Sequence, residues 1–244
     1  MTGTRSQSQT EDATLLEIFI LAMNSAAMSL TPSSVEKGEM DFPDLGTLEI
    51  GAPLTLKKGA GARMSPLAGS CLKIILGSEE EPLRVPFEAA NFDKSDTSTR
   101  VNLNYELTDT KYQAFVEMLD ETVIGLLAAR SAEFFRKSLS ADQIRLMYKP
   151  CLCTTPPYNP TLKTKVCIGD EAQRVVVWSP EGEQIDIPTS FRNLRVVTQI
   201  ALKSVWSTSS MCGLTLQTEH LMLSEHEVIP VFPFQAVKRV RTEA

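Results

Sequence analysis

Residues and motifs that usually build catalytic centres are scarce in this sequence. Its 244 residues include only 2 histidines. It contains no P-loop, no dinucleotide-binding G-x-G-x-x-G and no nucleophile motif G-x-S-x-G. His220 lies in a predicted strand with no serine or cysteine that the pattern pairs with it, so we expect a neutral structural histidine. The sequence therefore predicts no enzyme, no catalytic residue and no cofactor.

The cysteines form neither a disulfide framework nor a complete metal site. They are Cys71, Cys151, Cys153, Cys167 and Cys212, an odd number without regular spacing. This pattern indicates reduced thiols in an intracellular protein that is not secreted. Cys151 and Cys153 form a C-x-C motif, but no second C-x-C or close histidine pair completes four zinc ligands. A structural zinc site stays open as an alternative, and buried free thiols are the interpretation that we favour.

Long apolar runs are also missing, and we expect no contact with a membrane. Residues 13–30 resemble a signal peptide in part, but Glu17 interrupts the apolar run. Glu11 and Asp12 occupy positions where positive charge is expected. We interpret this segment as a core strand or short helix that follows a disordered tail, residues 1–12.

Positive charge is not in excess, which argues against a generally basic nucleic-acid binder. The chain has 24 Lys and Arg against 30 Asp and Glu, a net charge of −6. Residues 1–107 hold 9 basic and 15 acidic side chains, whereas residues 151–244 hold 9 of each. A nucleic-acid site would therefore have to be a local patch rather than a property of the whole surface.

Short β-like runs flank a helical segment. In residues 40–107 they are separated by Gly-, Pro- and Asp-rich turn signals such as "KKGAGARMSP" (57–66). Residues 108–140 have apolar side chains at helical spacing, with Thr108 or Asp109 as the N-cap, which predicts a helix of about three to five turns. The predicted buried face of this helix consists of Tyr112, Phe115, Val116, Leu119, Val123, Leu126 and Leu127.

After Pro160 the strands return, and "SPEG" (179–182) predicts a hairpin turn. The order predicts a mainly β (α+β) fold, an OB-like antiparallel barrel or sheet with an inserted helical segment. We expect one such domain over residues 13–244, with the insertion at about 108–148.

The second β-rich region carries basic side chains beside aromatic ones. Binding of single-stranded nucleic acid uses cations for the phosphates and flat rings on which bases stack. Strand alternation places the candidate residues on shared faces in three pairs, Lys163 with Lys165, Arg174 with Trp178, and Arg195 with Lys203. The alternative is that alternating charges only solvate and protect the edge of a sheet.

The two tryptophans are assigned different roles by the same alternation. Trp178 shares a face with Arg174 and is the predicted stacking platform. Trp206 has the parity of Leu202 and Ile200, so it is predicted to lie in the core unless a bulge intervenes near Ser204.

Three stretches resemble the single-stranded DNA-binding proteins of large nucleocytoplasmic DNA viruses, which are similar to the OB-fold single-strand binders of tailed phages. The first is a helical segment that ends in S-x-x-[WF]-F, here Ser131 to Phe135. The second is the Y-x-P-x-L-K-x-K strand "YNPTLKTK". The third is a strand that ends in Trp206 and is followed by "GLTL", in which Leu216 stands where an aromatic residue is common.

The resemblance implies an OB barrel in which Lys163 and Lys165 face the DNA backbone. It implies single-stranded DNA as the partner, with replication proteins and a second copy of the chain as further candidates, and the host nucleus or cytoplasm as the location. The chain ends in the basic "AVKRVRTEA" rather than an acidic tail. Two hypotheses follow: a protein that coats single-stranded DNA in replication or recombination, or a structural or assembly protein on a β-rich fold.

Overall fold

The computed structural model describes residues 42–56, 62–69, 72–91, 99–169 and 171–224. The predicted tail, the apolar segment 13–30 and the basic C-terminal stretch lie outside the described residues. Within the described ranges, no helix combines the length and the apolar character needed to cross a membrane.

Strands account for most of the regular structure of the described residues, which also contain a 3-10 helix (Leu45–Thr47) and three α-helices. The strands are β1 (Glu49–Ile50), β2 (Leu54–Thr55), β3 (Arg63–Ala68), β4 (Lys73–Leu76), β5 (Leu83–Arg84), β6 (Ala90–Asn91), β7 (Arg100–Glu106), β8 (Tyr148–Lys149), β9 (Leu152–Cys153), β10 (Thr161–Cys167), β11 (Val176–Trp178), β12 (Gln184–Ile185), β13 (Arg195–Ser207) and β14 (Cys212–Leu223). The helices are α1 (Thr110–Ala129), α2 (Ser131–Phe135) and α3 (Ala141–Met147).

The antiparallel hairpin β13–β14 organises the sheet, because six of the other twelve described strands pair with one of its two edges. Strands β3, β4 and β5 follow one another along β13, from Ser207↔Arg63 to Arg195↔Arg84. Strand β14 pairs in parallel with β8, β10 and β11. The ladder continues from β5 to β7 and from β7 to β10, so the pairing closes into a ring.

The ring has the strand order of an OB barrel. Numbered along the chain, the barrel strands are β4 with β5, then β7, β10, β13 and β14, and their order around the ring is 1–2–3–5–4. The third and fifth strands are parallel and the other neighbours are antiparallel. This arrangement is the five-stranded Greek-key barrel that many oligonucleotide binders share. The predicted mainly β fold with an inserted helical segment is confirmed.

The sequence did not predict strand β3. Residues 63–66 were assigned to a turn, but they begin β3, in which Pro66 is the register partner of Ser204. The assignment was wrong because Ser65 and Pro66 hide the alternation: Ser65 faces the interior at 0% exposure although its side chain is polar. The Pro66 carbonyl oxygen also has a hydrogen-bond partner: it accepts from Gly51 N–H at 2.8 Å.

The helical insertion connects the second and third barrel strands. Asp109 caps α1 by accepting from Lys111 N–H, as one of the two predicted caps. The helix has 20 residues, about five and a half turns, and is therefore longer than predicted. Every residue of its predicted buried face is buried except Leu126, which is partly buried.

Three hydroxyl groups meet inside the barrel. Tyr105 of β7 shares a hydrogen bond of 2.8 Å with Thr218 of β14, and Thr164 of β10 shares another of 2.8 Å with the same Thr218 hydroxyl. All three residues are at most 1% exposed. Burial raises the pKa of Tyr105, so its hydroxyl stays protonated at neutral pH. This network ties the parallel pair β10–β14 to β7.

We expect Tyr105→Phe to lower the free energy of unfolding by about 1–2 kcal/mol, because the buried Thr218 hydroxyl loses a partner that water cannot replace. Denaturant unfolding measures the effect. Tyr158→Phe is the matched control, because Tyr158 is 71% exposed and should tolerate the change. Equal losses in the two variants would contradict the proposed role of the network.

Candidate nucleic-acid interface

A groove of about 390 Å³ opens where β10 and β14 stop pairing. The two strands are register partners at Lys165↔Gln217, whereas nearer its start β14 pairs with β8 instead, at Cys212↔Tyr148. The polar and aromatic residues that line the groove include Asn102, Lys149, Lys163, Lys165 and Trp206, together with apolar residues such as Leu214 and Leu216. Among the described residues that line it, none is an aspartate or a glutamate.

The lysine pair of β10 faces outward, as the alternation predicts. Leu162, Thr164 and Val166 are at most 1% exposed and point into the barrel. Lys163 is exposed and Lys165 is partly buried. Both lysines line the groove, so the structure brings these two predicted residues together.

Positive charges crowd around Lys165. Burial lowers the pKa of its ammonium group, and the nearby charges of Arg100 and Lys163 lower it further. Arg100 lies on β7 as the register partner of Cys167 and shares the outer face. A phosphate placed in this cluster would relieve the repulsion among the three cations, so the electrostatics of the groove favour an anion.

A β-bulge turns Trp206 into the groove. Leu202 pairs with Leu216 and Ser204 with Thr215, so Lys203 is an extra residue in β13. Before the bulge the even-numbered residues are buried, and after it Val205 and Ser207 are buried at 0% and 2% exposure. Trp206 is partly exposed and lines the groove, so the structure follows the alternative in which a bulge intervenes, and not the core position that regular alternation predicts.

Gly213 provides the surface on which the Trp206 ring lies. The two are register partners, and a Cβ built on Gly213 would stand 2.8 Å from Trp206 Cζ2, closer than side chains pack. On the other side of Trp206, Met64 and then Leu54 are successive register partners, 39% and 55% exposed. Lysines therefore line the groove, and beyond the indole an exposed apolar strip continues outside the groove lining.

A buried carboxylate holds the wall that carries Lys149. Asp120 of α1 accepts from Tyr148 OH at 2.7 Å and from Cys151 N–H at 2.9 Å. Burial raises the pKa of Asp120, although these donors act in the opposite direction. Because the residues on both sides of Lys149 and Pro150 are anchored, this wall is fixed relative to the helix.

Lys203 and Arg195 lie outside the groove lining. Lys203 Nζ donates to Glu219 Oε1 at 2.5 Å, and Lys73 pairs with the same carboxylate at 2.9 Å. Glu219 is itself the extra residue of a second register shift, in β14. Arg195 is exposed at the start of β13, beside Arg84. Lys203 is therefore already engaged by a carboxylate of the protein.

Trp178 and Arg174 lie on a different part of the sheet. Trp178 Nε1–H donates to His220 Nδ1 at 3.2 Å, and the rings stack with centroids 6.1 Å apart. The accepting nitrogen must be unprotonated, and burial lowers the pKa of His220, which agrees with the expected neutral histidine. Arg174 is exposed just before β11. Their predicted role in binding stays a prediction.

The thiols give no sign of a metal site. Cys151, Cys167 and Cys212 are buried and Cys153 is exposed, and all are free cysteines. Burial raises the pKa of Cys212 to about 11, so this thiol is protonated at neutral pH. No cluster of three or more potential metal ligands occurs among the described residues.

Sequence reasoning missed three of the residues that line the groove. Trp206 was missed because of the bulge. Asn102 could have been found, since alternation in "VNLNYEL" places it opposite the buried Val101 and Leu103. Lys149 gave no signal, because a single lysine before a proline has no periodic neighbour.

No protein-family model matches the chain, and no curated protein matches it. Among solved structures, gp2.5 of bacteriophage T7, a single-stranded DNA-binding protein, is 15% identical over 67% of this chain and 97% of that chain, with a TM-score of 0.41. The single-stranded DNA-binding protein of bacteriophage Enc34 in complex with ssDNA is 10% identical over 72% and 96%, with a TM-score of 0.43. A further structure of the Enc34 protein is 10% identical over 75% of this chain and 96% of that chain, also with a TM-score of 0.43.

We expect Gly213→Ala to displace the Trp206 ring into solvent. The measurement is Trp206 fluorescence in a Trp178→Phe background, where Trp206 is the remaining tryptophan. The emission should shift to longer wavelength and acrylamide quenching should increase. Gly125→Ala is the control: its Cβ would meet nothing within 4 Å, and alanine should stabilise the helix by about 0.5–1 kcal/mol. An unchanged Trp206 spectrum in Gly213→Ala would contradict this packing.

Proposed function

We propose that this protein binds single-stranded DNA through the groove between β10 and β14, without enzymatic activity. The observation that carries the proposal is the composition of the groove: three lysines and an indole line it, and no carboxylate does among the described residues. A chain with a net charge of −6 has concentrated cations where its barrel opens. The outer face of the second and third strands is also where OB barrels commonly bind oligonucleotides.

Each part of the groove has a task in this proposal. Lys163 and Lys165 neutralise phosphates, with Lys149 on the facing wall. Trp206 offers a ring on which any base can stack, which makes the contact tolerant of sequence. Such binding suits a protein that coats replication or recombination intermediates. The proposal has three finer parts: the protein recruits replication proteins, it assembles as a homodimer, and it is of viral origin.

If the lysines contact phosphates, affinity for oligo-dT should fall steeply with salt. Lys163→Ala and Lys165→Ala should each reduce the slope of log K against log salt by about 0.7 for a single strand. Lys203→Ala should change the slope less, because Glu219 already pairs with this lysine at 2.5 Å. Fluorescence titrations at several salt concentrations measure the slopes.

Lys111→Ala is the matched control for loss of one positive charge. Lys111 pairs with Asp109 at 3.2 Å at the start of α1 and does not line the groove. Its removal should leave the slope unchanged. Salt-independent affinity, or no binding to oligo-dT at low salt, would reject the proposal and favour the structural or assembly role.

The stacking role is tested on the two tryptophans. We expect Trp206→Ala to weaken binding of oligo-dT by about 1–3 kcal/mol, the usual contribution of one base–aromatic stack, and to leave the fold intact because the ring is partly exposed. Trp178→Ala should bind nearly as well as the wild type, since its indole N–H is engaged with His220. Titrations combined with melting curves separate binding from folding.

The sequence-based prediction gives the opposite order, with Trp178 as the platform. Loss of binding in Trp178→Ala together with normal binding in Trp206→Ala would therefore move the site away from the groove and onto the β11 surface.

A further inference from the structure

Asn102 is a buried polar residue at the edge of the groove. It lies on β7 as the register partner of Lys165 on one side and of Ala90 on the other. It is 7% exposed and lines the groove together with the lysines and Trp206. Its position therefore combines near-complete burial with access to whatever occupies the groove.

The Asn102 carboxamide has no side-chain hydrogen bond to any described residue. Two other asparagines in the described ranges are engaged: Asn159 Nδ2 donates to Glu106 at 2.6 Å, and Asn193 Oδ1 accepts from Arg84 at 2.9 Å. A carboxamide offers two donors and an acceptor, and neither the oxygen nor the nitrogen of Asn102 is among the fully buried side-chain atoms that lack a partner, so both keep contact with solvent. A ligand in the groove that supplies both a donor and an acceptor can therefore pair with this side chain.

The lysines and the indole cannot tell one base from another. Phosphate contacts carry no sequence information, and every base has a face that can stack. A carboxamide in the same groove as the stacking ring can distinguish bases, because it pairs with the hydrogen-bonding groups on the edge of a base. Asparagine meets adenine with two hydrogen bonds, to N6 and N7, and these atoms are fully accessible in a single strand.

We propose that Asn102 reads the edge of the base that stacks on Trp206, and that it gives the groove a preference for adenine. This inference rests on the proposed function, since it requires a nucleic acid in the groove. Asn102 then acts as a specificity-determining residue within a site whose other contacts are indifferent to sequence.

The test compares the affinities of the full chain for oligo-dA, oligo-dC and oligo-dT of equal length at one salt concentration. The readout is the ratio of affinities within each variant, because self-stacking of oligo-dA is common to all variants and cancels in the comparison. The dA-to-dT ratio of the wild type should exceed that of Asn102→Ala by about tenfold. The salt slope should be the same in both, since no phosphate contact is removed.

Two further variants sharpen the result. Asn104→Ala is the matched control, because Asn104 lies on the same strand and face, opposite Lys163, but does not line the groove. Its ratios should equal those of the wild type. Asn102→Asp keeps the shape of the side chain and can only accept, so its preference should move toward cytosine, whose N4 donates. If Asn102→Ala does not fold, the affinity ratios of Asn102→Asp decide the test.

The outcomes separate the inference from the proposed function. Binding that is salt-dependent and Trp206-dependent, with dA-to-dT ratios that do not change in either Asn102 variant, would overturn the inference and leave the function standing. Absence of binding to all three oligonucleotides at low salt would overturn both. An equal fall of the dA-to-dT ratio in Asn104→Ala would also overturn the inference, because Asn104 does not line the groove.

Discussion

The β13–β14 hairpin and its two register shifts are the constraint on which the rest of the structure depends. Lys203 is the extra residue of one strand and Glu219 that of the other, and their side chains form an ion pair. Both side chains are partly buried, at 27% and 20% exposure, so salt screens this pair less than a surface pair. The bulge at Lys203 keeps Val205 in the core and turns Trp206 outward. Without it, the groove would lose its ring.

The electrostatics of the groove follow from where the acidic residues are, as much as from the lysines. Glu219 is occupied by Lys73 and Lys203, and Glu106 by Arg84 and Asn159. These two described carboxylates are thus paired with other partners and do not line the groove, whereas Lys163 and Lys165 do. The described lining of the groove is therefore basic although the net charge of the chain is negative.

Much of the fold could be predicted from the sequence, because alternation and helix caps are local. Asp109 caps α1, as one of the two predicted caps, and six of the seven residues of the predicted buried face of this helix are buried. The site could be predicted only in part. Lys163 and Lys165 were found because they lie within one regular strand. Trp206 was misplaced because a single bulge reverses parity, and alternation counted along β13 cannot detect an inserted residue. The groove itself forms between strands about fifty residues apart.

The two sides of the Trp206 ring are chemically unlike, and under the proposed function this asymmetry has a consequence for selectivity. Lysines line the groove on one side, whereas Met64 and Leu54 continue from Trp206 on the other side and are exposed. A duplex has phosphates along both of its flanks, so one charged backbone would have to lie on this apolar strip and lose solvation without gaining a cation. A single strand has one charged edge and one edge of bases. The mismatch of the two sides would therefore favour a single strand over a duplex, without recognition of any base.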